Sequence, residues 1–107
     1  MAKYLLQGVY TGAAAAGLLK EGGVSRVKAI HALVESVGGS LVSEVYYGFG
    51  EMVDVFAIAD FPDHSSAAAL TLVAAPAGVT IKTTVLMEPA EIDAAIQKNP
   101  NYRAPGT

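Results

Sequence analysis

The run LVSEVYYGFGEMVDVFAIAD, residues 41–60, reads as two strands around a turn. Residues 41–49 and 53–60 are rich in Val, Tyr, Phe and Ile, the branched and aromatic types that suit a pleated, half-buried surface. Gly50-Glu51-Met52 turns the chain between them, so the pair is expected to form an antiparallel hairpin. Side chains alternate across a strand, and here both rows are apolar: Val53, Val55, Ala57 and Ala59 on one side, Phe56 and Ile58 on the other. A sheet with one wet face alternates more cleanly. Both faces of this hairpin therefore need cover.

Working outward, the elements that could supply the cover are short. Upstream, Val27, Ile30, Leu33, Val34 and Val37 recur at helical spacing, predicting a helix from near Ser25 that Gly38-Gly39 stops. Residues 13–20 are Ala- and Leu-rich and predict a short helical turn ended by Gly22-Gly23. Residues 3–11, with Tyr4, Leu5, Leu6, Val9 and Tyr10, predict the first strand. Downstream, Asp63 is placed to cap a helix that contains residues 67–75 and stops at Pro76. Residues 79–87 alternate as a last strand, Pro89 opens a short helix over 90–98, and 99–107 form an extended tail.

This order predicts an α+β fold: a ferredoxin-like βαββαβ chain with a four-stranded antiparallel sheet, two helices on one face and a short C-terminal helix. One domain spans residues 1–107. The helices cover only the face carrying Val55, Ala57 and Ile81, and Tyr46, Phe56, Ile58 and Leu86 are left on the other. The expected cover for that face is a second copy, making the chain a homodimer or a higher oligomer built on dimers.

Composition narrows the partners. Apolar residues make up 52% and charged residues 16%, the reverse of a disordered chain. A net charge of -3 argues against nucleic acid and anionic membranes, which ask for clustered Lys and Arg. With no cysteine there is no disulfide framework, thiolate nucleophile or Cys-based metal site, which suits a cytoplasmic protein. The uncharged run from Tyr4 to Leu19 has the outline of an export signal, but Gln7, Gly8, Tyr10, Thr11 and Gly12 interrupt its apolar stretch. Residues 65–81 contain Pro76 and Gly78 and too few large apolar side chains to span a membrane.

Several segments carry a family likeness. Lys3-Tyr4-Leu5-Leu6-Gln7 with Tyr10-Thr11, Gly17-Leu18-Leu19-Lys20-Glu21-Gly22-Gly23, Tyr47-Gly48-Phe49-Gly50, Ala59-Asp60-Phe61-Pro62-Asp63 and Lys82-Thr83-Thr84 together resemble the GYD-domain family, in order and in spacing. The resemblance runs from Lys3 to the Tyr102-Arg103 tail. It implies a fold similar to the dimeric α/β barrels and supplies no settled activity. The Gly-Tyr-Asp signature appears as Gly50-Glu51-Met52-Val53-Asp54, one residue longer: Gly50 and Asp54 match the family motif, and its tyrosine has no counterpart.

Three constellations could carry chemistry. His31 and Glu35 stand at i, i+4 on the helix flank, where a carboxylate could orient an imidazole as a catalytic base; the alternative is a solvated pair at the helix edge. Asp63-His64 could place a histidine at a pocket mouth, against the simpler reading of a cap followed by a first-turn residue. By strand parity Glu44 and Tyr46 share a face, as do Lys82 and Thr84; with Tyr10, Asp54 and Phe56 they are candidates to line a ligand pocket in an otherwise apolar enclosure. No metal is expected, because neither H-x-x-x-H nor H-E-x-x-H spacing occurs. No cofactor is expected either: Walker A and G-x-S-x-G runs are absent, and Gly48-Phe49-Gly50 precedes a hairpin rather than a helix. These readings favour a small-molecule-binding module with its pocket between the sheet and either a partner or the helices. A cofactor-independent enzyme acting on a small apolar or aromatic compound and a purely structural oligomer are the alternatives.

Overall fold

The computed structural model describes residues 2–50 and 52–107. In chain order these form β1 (Ala2–Tyr10), α1 (Gly12–Glu21), α2 (Gly23–Ser36), β2 (Ser40–Leu41), β3 (Tyr46–Tyr47), β4 (Val55–Phe61), α3 (His64–Ala74), a 3-10 turn (Ala75–Ala77), β5 (Val79–Leu86) and α4 (Pro89–Gln97). β1 lies at the centre, antiparallel to β4 on one side and to β5 on the other. The strand order is β2-β4-β1-β5, with β3 also paired to β4, giving a five-stranded antiparallel sheet in an α+β fold.

Register sorts the side chains. Tyr4 lies opposite Ala59 and Val85, and Leu6 opposite Ala57 and Thr83, so these residues share one face. On that face Tyr4, Leu6, Ala59 and Phe61 pack with Val34 of α2 and with Ala67 and Leu70 of α3. Fully burying each large apolar side chain contributes roughly 1.5–3 kcal/mol, so this small cluster supplies much of the stability. Gly39 lets the chain turn tightly over it: a Cβ there would come within 2.8 Å of the Asp60 carbonyl oxygen and 2.7 Å of the Phe61 ring. The opposite face carries Leu5, Phe56, Ile58 and Leu86, and at one end Lys3 and Asp60, whose charged groups stand 3.5 Å apart. That contact neutralises Asp60 without completing a hydrogen bond, since the buried Oδ1 has no hydrogen-bond partner among the described residues.

The helix starts follow from local chemistry. Asp63 caps α3, its Oδ1 accepting from the Ser66 amide at 2.8 Å and from the Ser65 and Ser66 hydroxyls. Those bonds favour the ionised form and hold the Asp63 carboxyl below its ordinary value. Thr11 caps α1 through the Ala14 amide at 3.3 Å. Pro89 opens α4, and the Glu91 carboxylate accepts from the Glu88 amide at 2.9 Å.

Several expectations need correction. The segment before α2 is a complete ten-residue helix, and α2 starts at Gly23 rather than near Ser25. The two helices abut at Gly22, whose φ of 85° only glycine adopts readily. The strand expected over 41–49 breaks in two. Val42 and Ser43 both donate to the Ile58 carbonyl, at 2.9 and 3.3 Å, and the Ser43 hydroxyl accepts from the Ile58 amide at 2.7 Å. That is a bulge, and it swings Glu44 and Val45 out of the ladder. Val53 and Asp54 belong to the turn, where the Asp54 amide donates to the Gly8 carbonyl at 2.9 Å; Glu51, at the centre of the expected hairpin turn, lies outside the described residues. Strand parity also puts Val85 and Met87 on the helix-facing row, but both are exposed, because β5 is the edge strand of the sheet.

From residue 87 onward every residue is exposed, and no residue of α4 is buried. The radius of gyration is accordingly 17.0 Å, against about 13 Å for a compact chain of this length. Among the described residues no helix is long and apolar enough to cross a membrane.

Candidate functional site

Side-chain size falls along the inner face of β1, from Tyr4 through Leu6 to Gly8. The sheet–helix layer is consequently filled at the Tyr4 end and hollow at the other. Small residues keep it hollow: Gly8 and Ala57 on the sheet, Ala74 on α3 and Ala77 beyond it. A Cβ on Gly8 would already lie 2.5 Å from Val55 Cγ1. The result is a cavity of about 230 Å³, walled by Ile30 and Leu33 of α2, Leu70 and Val73 of α3, and Val79 and Ile81 of β5. Its lining is almost wholly apolar, as ligand cavities are.

Polar groups gather at one end. Tyr10 closes β1, and its hydroxyl lies 3.1 Å from that of Tyr47, with either able to donate. The Tyr10 amide donates to Asp54 Oδ2 at 2.8 Å, which ties the end of β1 to the turn after β3. Tyr47 stacks on Phe49, with ring centroids 6.0 Å apart and planes at 22°, and meets Tyr10 edge-on. Burial and then the Tyr10 hydrogen bond push the Tyr47 hydroxyl well above the ordinary tyrosine value, so it stays protonated and can donate. Arg26 of α2 completes the group, its Nε 3.8 Å from Glu21 Oε1 of α1. A second space of about 200 Å³ runs alongside α1 and shares Tyr10, Arg26, Ala77 and Val79 with the first, so these residues form the neck between the two.

The sequence-derived candidates divide between the two faces. Tyr10 lines the cavity, and Phe56 borders it although its register partners, Tyr46 and Gln7, belong to the other face. Gln7 in turn pairs with Lys82, so Tyr46, Phe56, Gln7 and Lys82 form a row across that outer face, with Thr84 one step along beside Leu5. Asp54 is engaged by the Tyr10 amide, Glu44 is exposed in the bulged segment, and Gly50 is exposed. His31 and Glu35 are both exposed on α2, form no ion pair with each other and do not line the cavity. His64 meets the buried Tyr4 hydroxyl through Nδ1, away from the cavity. Among the described residues no cluster of His, Asp and Glu could hold a metal ion.

Sequence reasoning missed Arg26 and Gly8, which line the cavity, and Tyr47, which does not line it but backs the Tyr10 hydroxyl. A signal for Arg26 was present. It stands at i, i+4, i+7 with Ile30 and Leu33, a lone cation on the apolar stripe of α2. Tyr47 could have been found only from its register with Val55. The arrangement is an apolar recess, partly open to solvent along α3, with hydroxyl and guanidinium donors at one end.

A family model described as GYD domain matches residues 4–96. The chain belongs to the GYD-domain family. The match spans all five strands, the helices that wall the cavity, and both Gly50 and Asp54, so the cavity lies inside the GYD domain. No curated protein and no solved structure matches the chain.

Proposed function

We propose that this GYD-domain protein is a homo-oligomeric small-molecule-binding module whose ligand occupies the cavity between the sheet and helices α2 and α3. The observation that carries this reading is the cavity of about 230 Å³ itself, apolar along its walls and supplied with donors at one end. An apolar recess of this size, with a few polar groups converging at one end, has the make-up of a small-ligand pocket. The protomer is ferredoxin-like, a reading supported by two strand–helix–strand crossovers and the order β2-β4-β1-β5. Two protomers pair as a dimeric α/β barrel through the sheet face that carries Leu5, Ile58 and Leu86, with Tyr46 65% exposed at its edge.

The test is to fill the chamber. Ala57→Leu adds three carbons to a wall residue, which the space accommodates. Thermal unfolding of the wild type with small apolar compounds should show Tm rising with ligand concentration, since a ligand at 100 times its Kd adds about 2.7 kcal/mol. The Ala57→Leu variant should fold normally and lose that response. A wild type whose Tm ignores every compound, or a filled variant that responds equally, would remove the cavity as the site.

A further inference from the structure

We propose that the cavity takes a small apolar monocarboxylate, a straight-chain or aromatic acid of about ten non-hydrogen atoms, with its carboxylate held at the neck by Arg26 and by the hydroxyl of Tyr10, which Tyr47 backs from behind. This rests on the binding reading above and adds the ligand class. Size sets the body. An apolar cavity of about 150 Å³ takes benzene, and this one, at about 230 Å³, is roughly half as large again. Its apolar walls leave the interior without partners for a polar body, so the polar group of the ligand must sit at the neck.

The neck selects the head group by sign and by geometry. Arg26 is only about one third exposed, and its contact with Glu21 runs through Nε at 3.8 Å, beyond hydrogen-bond length. The edge formed by its two terminal nitrogens makes no hydrogen bond among the described residues. A guanidinium can present one edge to each of two carboxylates, and that second edge matches a carboxylate with two parallel N–H···O bonds. The hydroxyls of Tyr10 and Tyr47 hold two protons between them and use one in their mutual bond, so one O–H remains to donate to an acceptor beside them.

Other ligand classes fit less well. A cation would be repelled by Arg26. A phosphate dianion would find one guanidinium already shared with Glu21, too little positive charge for two negative ones. A neutral apolar molecule fills the chamber but strips water from the guanidinium without returning an acceptor, which is costly. The second space alongside α1 shares Tyr10 and Arg26, so a head group there stands at the way in while the tail points inward.

Calorimetric titration of the full chain at pH 7.5 with sodium octanoate and with n-octanol tests the class, because the two share a tail and differ in the head. Octanoate is expected to bind at least about tenfold more tightly than octanol, the order of a charge-assisted pair. Arg26→Gln should drop octanoate to the affinity of octanol, and Arg26→Lys, which keeps the charge and loses the two-pronged fit, should fall between. Tyr10→Phe should weaken octanoate by a few-fold. Equal binding of the two compounds by the wild type, or an octanoate preference that survives in Arg26→Gln, overturns the ligand class and leaves the cavity as the site. Binding of neither compound by a folded wild type overturns both. Should Arg26→Gln fail to fold, the wild-type comparison and Arg26→Lys still decide.

Discussion

Tyr47 shows how a single side chain takes its properties from position. Burial and the hydroxyl of Tyr10 raise it far above the ordinary tyrosine value of 10.0, while Arg26 nearby pulls weakly the other way. The folded state therefore keeps a proton that the unfolded chain releases once the pH passes about 10. This contribution to stability is whole below that point and is lost as the pH climbs on toward the folded value. An alkaline spectrophotometric titration should show a late-ionising component, and Tyr47→Phe should remove the part of it that Tyr47 contributes. Gly39 makes the complementary case for backbone. Gly39→Ala drives a methyl into the Asp60 carbonyl and the Phe61 ring, both held by the core, and should cost about 2–3 kcal/mol in urea unfolding, within the range for forced overpacking. Neither residue announces this in the sequence: a tyrosine in a Tyr46-Tyr47 pair and a glycine in Gly38-Gly39 look like their neighbours, and only what lies opposite separates them.

Elements were legible where their periodicity was long and illegible where a side chain bent the chain. The capped start of α3 follows from Asp63 alone, and Pro89 sets α4, because both signals act within one helical turn. The break between β2 and β3 does not follow from residues 41–49, which are strand-like throughout. Its cause is the Ser43 hydroxyl, which takes the Ile58 amide that a regular ladder would have given to a carbonyl. Ser43→Ala should leave that amide short of an acceptor and cost about 1–2 kcal/mol, the range for a part-buried donor left unpaired. Hydrogen exchange at the Ile58 amide should quicken accordingly; unchanged protection there would mean that the bulge is held by the backbone alone. The fate of Glu44 follows from the same bulge, since a residue outside the ladder no longer obeys strand parity.

At the scale of the whole molecule the proposed dimer ties the open sheet face to the projecting arm. α4 exposes Ile92 at 45% and Ile96 at 64%, and Tyr102 beyond it is 70% exposed. A nine-residue helix is marginal in water without packing, and in the proposed dimer the partner would supply the surface that packs α4. Light scattering during size exclusion should give at least twice the mass of one chain at micromolar concentration, and the α4 amides should be protected from exchange in that species. Ile58→Asp should release monomers or cause aggregation and strip α4 of its protection. A stable folded monomer with a protected α4 would contradict the paired arrangement. The local order of residues was enough to predict the α+β class, the Asp63 cap, the opening Pro89 and the largely apolar rows of β4, because each depends on near neighbours and on a period of two or 3.6 residues. The cavity was decided only in three dimensions. It arises where three separate segments, at Gly8, at Ala57 and at Ala74 with Ala77, bring small residues to one place, and where Arg26 of α2 meets Tyr10 of β1 at its neck. A void is a sum over the packing of many segments, and no single stretch of sequence contains it.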